Sequence, residues 1–219
     1  MAEDWNAHFE RERARYEDGS GRIPDDPDGR QRQLTRTGNA AWGAALAQLM
    51  RGETDQAAVW FGQAADAYEA SYVEAPPGSW GRRVAMIKCS ILAGDWRRAE
   101  EFARATLGER AAETDSPIGR YAAVLALLTL GRAEDARPVA SSLREHDDFP
   151  HDVADSVANI AAEDAPGYVI AIESVLQSFE HRDEYLEEIP VADTVLVLRA
   201  LARRRHLAAD LASPLLPPG

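Results

Sequence analysis

Residues 51–68 read RGETDQAAVWFGQAADAY, residues 93–107 read AGDWRRAEEFARATL, and residues 130–143 read LGRAEDARPVASSL; these three stretches decide the fold class. Each carries a glycine just after an apolar run, Gly52, Gly94 or Gly131, and continues in a helical pattern. Five residues after each glycine stands an alanine: Ala57, Ala99 and Ala136. Nine after come Phe61, Ala103 and Ala140, and twelve after come Ala64, Thr106 and Leu143. A glycine lets the chain turn sharply between two helices, and a small residue at plus five lets the second helix close on the first. A large side chain there would prop the hairpin open.

On either side of these turns the apolar residues keep spacings of three and four. Trp42, Ala45, Leu46 and Leu49 precede Gly52, and Ala57, Phe61, Ala64, Tyr68 and Tyr72 follow it until Pro76, Pro77 and Gly78 stop the helix. Ser116 with Pro117, then Pro150, Pro166 and Pro190, mark further helix starts, because a proline in the first turn costs no hydrogen bond. Tyr168, Ile172, Val175 and Phe179 line one later helix, and Val191, Val195, Leu198 and Ala202 line the last. No strand-like alternation competes. The three quoted stretches resemble the turn and second helix of tetratricopeptide (TPR) repeats, with Phe61 and Ala64 fitting best. Their anchors lie 42 and 37 residues apart, against about 34 in that family, so the pattern over Asn39–Asp148 is TPR-like rather than regular. The expected fold is all-α, an antiparallel helical-hairpin solenoid of about nine helices. Such an array presents a binding surface.

The ends read differently. A short helix spans Asp4–Tyr16, with Trp5 and Phe9 one turn apart, and GSGRIPDDPDG at Gly19–Gly29 reads as an exposed, mobile loop. Residues 1–30 are thus expected to be a loosely attached helix and loop, and 31–219 a single all-helical repeat domain. The segment PVADTVLVLRALARRRHLAADLASPLLPPG, residues 190–219, resembles the end of all-helical immunity proteins, especially the immunity protein 49 family, through Leu201–Arg205 and then Ser213, Pro214, Leu216 and Pro217. That resemblance implies a protein that binds and blocks a toxin, and it carries over no functional residue. Arg203, Arg204, Arg205 and His206 are expected to complement the dipole of their own helix. Leu211, Leu215 and Leu216 are expected to dock on the last helices.

The chain has 37 acidic and 24 basic residues, a net charge of −13. Between Glu145 and Asp193 fourteen acidic residues face one basic residue, Arg182, so this acidic part accounts for the whole net charge. Salt adaptation would spread acid over the entire chain. A concentrated field repels nucleic acid and attracts a basic partner. Glu180, Asp183, Glu184, Glu187 and Glu188 are therefore the expected partner-binding residues. Trp60 joins them, because it neighbours Phe61 and must face another side of the helix.

Other chemistries find little support. The single cysteine, Cys89, excludes a disulfide framework and a multi-cysteine metal site. No apolar run approaches the ~20 residues of a membrane span, and the start MAEDWNAHFERER lacks a signal core, so a cytoplasmic protein without membrane contact is expected. HDDFPHD, residues 146–152, holds metal-ligand types, but Phe149 and Pro150 separate its histidines and no distant partner completes a set. Glu173 with Glu180, and Glu184 with Glu188, share helix faces without a nearby nucleophile. No phosphate-binding glycine loop or HExxH motif occurs. The resulting expectation is a non-enzymatic protein binder without a cofactor or metal, most concretely an immunity-type inhibitor that occludes a basic toxin. Alternatives are a TPR-like adaptor that grips a peptide and, more distantly, a metal-dependent enzyme using His146, Asp148, His151 and Asp152.

Overall fold

A computed structural model describes residues 3–218. Among them there are ten α-helices and no strand: α1 Trp5–Ser20, α2 Pro27–Met50, α3 Thr54–Val73, α4 Trp80–Leu92, α5 Trp96–Gly108, α6 Pro117–Thr129, α7 Ala133–Leu143, α8 His151–Ala162, α9 Ala165–Glu180 and α10 Asp193–Arg203. Single 3-10 turns lie at Ala111–Glu113 and Leu186–Glu188. The protein is all-α, with one helix more than the periodicity suggests. Among the described residues no helix is long and apolar enough to cross a membrane.

The chain divides into two compact units, and the division after Asp95 falls inside the 31–219 stretch. In unit 1, formed by the described residues up to Asp95, Asp183–Val191 and those from Pro214 onward, each of α1 to α4 packs on its neighbour in sequence, and the 3-10 turn at Leu186–Glu188 rests on α2. α2 is buried along most of Thr37–Ala47, where seven of the eleven residues are alanine or glycine and no charged residue gives the helix a face to turn outward. Gly38 admits the Tyr68 ring, whose carbons would stand 3.2 Å from a Cβ there. The Tyr68 hydroxyl then donates to Asn39 Oδ1 at 2.5 Å. In unit 2, Trp96–Arg182 and Ala192–Ser213, the helices α5 to α9 also pack in sequence order, and α10 lies on α8 and α9. The buried helix here is α6, closed to solvent from Tyr121 to Thr129.

The glycine turns share one geometry. Gly52, Gly94 and Gly131 have φ of 79°, 74° and 74°. In each case the glycine N–H reaches back three residues and the next N–H five, as with Gly52 to Leu49 O and Glu53 to Gln48 O, both at 3.0 Å. This is the left-handed C-cap that satisfies the last carbonyls of a helix. The residues at plus five, nine and twelve after all three glycines are buried. The same bond pair recurs at two further places. Glu163 (φ 58°) bonds Ile160 O while Asp164 bonds Asn159 O, and His206 (φ 58°) bonds Arg203 O while Leu207 bonds Ala202 O. After Glu163, positions plus five, nine and twelve are Tyr168, Ile172 and Val175, again buried. The small residue has moved one place: a Cβ on Gly167 would stand 2.9 Å from Asn159 Cγ.

Local expectations near the N-terminus hold only in part. Within Gly19–Gly29 five of the eleven residues are helical, since α1 runs through Ser20 and α2 begins at Pro27, and residues 21–26 form a largely exposed link between them. Asp26 accepts from the Gly29 N–H at 2.6 Å and Pro27 opens the helix, so the residue types that suggest a loop here serve as a helix cap. Nor is α1 loosely attached. It packs on α2, with Gly19 and Glu12 buried. In the tail, Leu211 falls in unit 2 with α10, and Leu215 and the buried Leu216 fall in unit 1.

Candidate functional site

On α1, Phe9, Glu12 and Tyr16 follow one another at spacings of three and four and share a face. Phe9 and Tyr16 meet the Trp60 ring of α3 edge-on, with centroids 5.8 and 5.3 Å away, a geometry favoured by aromatic quadrupoles. Between them Glu12 is completely buried, and its carboxylate accepts from Arg11 Nε at 2.7 Å and Arg15 Nη1 at 2.9 Å. A buried carboxylate is tolerable only when paired in this way.

The same two arginines extend to the acidic segment. Arg11 Nη2 donates to the Glu187 carbonyl at 2.5 Å, Arg11 Nη1 donates to Glu188 Oε2 at 3.1 Å, and Arg15 pairs with the Glu187 carboxylate. Burial opposes the charge on Arg15, but the Glu12 and Glu187 carboxylates outweigh it and raise its pKa above the usual value. Glu187 and Glu188 both have left-handed backbones, φ 52° and 58°, a conformation that costs non-glycine residues energy and persists where neighbours hold it.

The expected partner-binding residues thus fall into three groups. Trp60, Glu187 and Glu188 are all engaged by α1; Trp60 is half-buried and only 14% of the Glu187 side chain is exposed, whereas 86% of Glu188 is. Asp183 and Glu184 lie exposed in the non-helical link of the same unit. Glu180 ends α9 in unit 2, exposed, and accepts from Ser213 Oγ at 2.7 Å. Elsewhere in the acidic part Asp155 pairs with Arg144 at 2.6 Å, and Asp164 caps α9 through the Gly167 N–H. Arg182, the one basic residue, lies 3.6 Å over the Phe179 ring.

The HDDFPHD run is arranged as a helix entry. Phe149 is buried against Tyr121 with centroids 5.3 Å apart, His151 and Asp152 open α8, and His146 Nδ1 lies 3.9 Å from Asp148. Among the described residues no group of three or more His, Cys, Asp or Glu is placed to hold a metal. Cys89 is fully buried in α4. A shallow hollow of about 510 Å³ borders His151, Asp152 and His181, and a second of about 300 Å³ lies where α6, α8 and α10 end. In the second, Arg204 donates to Thr129 O at 3.1 Å and Arg205 to Leu128 O at 2.7 Å. Their charge satisfies the carbonyl end of α6 rather than the end of their own helix alone. Burial, then the neighbouring Arg204, lowers the pKa of Arg205.

Sequence reasoning misses Arg11, Glu12 and Arg15. The only sign of them is a charged residue in the position that should be apolar between Phe9 and Tyr16. No family model matches the chain, and neither a curated protein nor a solved structure matches it.

Proposed function

We propose that the chain is a non-enzymatic protein-binding protein, a TPR-like antiparallel hairpin array that covers a basic surface of another protein. The observation that carries this reading is the unequal use of the acids between 180 and 188. Glu187 and Glu188 are neutralised within the chain by Arg15 and Arg11, whereas Asp183 and Glu184 are exposed and the exposed Glu180 accepts from the Ser213 hydroxyl. Exposed carboxylates concentrated in one stretch steer a basic partner and accelerate its capture. The most concrete form is an immunity-type inhibitor, for which the C-terminal resemblance is the support; occluding a toxin requires no catalytic group.

Capture of partners from the native host's lysate at low and high salt tests the reading. A single basic protein, retained in near-stoichiometric amounts and released as salt rises, is the expected result. An acidic or neutral partner held independently of salt contradicts it.

A further inference from the structure

We propose that α1 occupies, within the chain, a docking surface that also accepts an arginine-bearing helix of the partner protein. The surface is formed by Trp60, Gly43 and the strap at Glu187–Glu188, all in unit 1. This inference rests on the reading of the partner as basic, and it names the partner's recognition element: a helix with two arginines one turn apart, flanked on the adjacent face by aromatic residues.

Three observations carry it. First, α1 complements the surface in charge and shape, since Arg11 and Arg15 meet Glu187 and Glu188 while Phe9 and Tyr16 clasp Trp60. Second, the middle of the docking face of α1 is not an apolar residue but Glu12, whose partners Arg11 and Arg15 lie on α1 itself. A helix that packs permanently gains most from an apolar residue at such a point, because an ion pair there repays little beyond its own desolvation. When α1 leaves, however, the Glu12 cluster leaves intact, and no charge is stranded in the core. Third, the contacts that Arg11 and Arg15 of α1 make to the strap are polar, to the Glu187 carbonyl and to the Glu187 and Glu188 carboxylates; both arginines are half-exposed, and the pair with the exposed Glu188 is of the weak, exchangeable surface kind. A partner helix of the same pattern would replace them one for one.

The test uses the full chain and a labelled synthetic peptide of residues 3–22. In the variant carrying Arg11→Glu and Arg15→Glu, α1 is repelled by Glu187 and Glu188, and the peptide should bind one to one. Its affinity should exceed that for the unaltered chain by about ten-fold or more, because a docked α1 competes for the surface. A peptide with Arg11→Gln and Arg15→Gln should not bind. Absence of peptide binding to a variant that retains its helical signal overturns the proposal, as does equal binding of both peptides. Should the variant not fold, amide exchange on the unaltered chain decides: α1 amides must exchange through an opening separate from that of α2 and α3, and exchange only with global unfolding overturns the proposal. Neither measurement involves the partner, so each can fail while capture of a basic protein succeeds, and the reverse.

Discussion

Glu12 fills the space over Gly43: a Cβ at position 43 would stand 2.9 Å from Glu12 Cγ. The contact involves the middle of the side chain, not a mobile end, and the carboxylate beyond it is fixed by Arg11 and Arg15. Gly43→Ala must therefore displace α1 or bend α2. We expect it to lower the unfolding free energy by about 1–3 kcal/mol, measured by chemical denaturation, and to change the fluorescence of Trp60 as Phe9 and Tyr16 withdraw. Gly81→Ala in α4, with open space around its Cβ, should instead be neutral or stabilising by up to about 1 kcal/mol. Equal effects of the two changes would contradict the close contact.

Glu163 and His206 occupy the left-handed cap position that glycine holds at residues 52, 94 and 131. Glu163→Gly and His206→Gly should each raise stability by about 1 kcal/mol, as relief of left-handed strain exceeds the entropy cost of glycine. Gly131→Ala should lower stability by a similar amount. A fall in melting temperature for both glycine variants would show that the Glu163 and His206 side chains contribute more than their backbone costs.

What is legible in the sequence follows this same division. The turns at Gly52, Gly94 and Gly131 stand out because glycine alone takes a positive φ without strain, and the buried positions after them can then be counted off. The fourth hairpin is hidden because Glu163 bears no such mark and because Gly167, not Tyr168, provides the close approach. The role of α1 is hidden for a related reason. Its docking face reads as polar at Glu12, whose burial depends on the pairing with Arg11 and Arg15 and on the space over Gly43, and the further contact of these arginines with Glu187 and Glu188 spans most of the chain. The acidic segment itself is plain in composition, but composition cannot separate Asp183 and Glu184, left open, from Glu187, tied to Arg15. The ends of α6 and α10 show the same limit: a run of arginines marks a helix end without saying which helix it caps.

Two buried tyrosines set the alkaline limit of the fold. Burial raises the pKa of Tyr168 to about 12, with Arg199 and Arg203 acting in the opposite direction. Tyr121 is pushed up further by burial and by the Asp193 carboxylate. The unfolded chain releases these protons near pH 10, so their contribution to stability is intact below pH 10 and is lost as pH rises toward 12 and beyond. We expect helix content and tyrosinate absorbance to show some of the six tyrosines titrating only as the chain unfolds. Tyr121→Phe should extend the folded range to higher pH. All six titrating together in a chain that stays helical would contradict the burial of both hydroxyls.

Capture of a basic partner by exposed acids is tested by comparing the partner's affinity for the unaltered chain with that for a variant carrying Glu180→Lys, Asp183→Lys and Glu184→Lys. These three are the appropriate residues, since they are exposed, whereas reversal of Glu187 or Glu188 would also expel Arg15 or Arg11. Binding should weaken by at least about ten-fold and lose much of its salt dependence, with the fold unchanged. Unchanged affinity together with unchanged salt dependence would contradict capture by these acids.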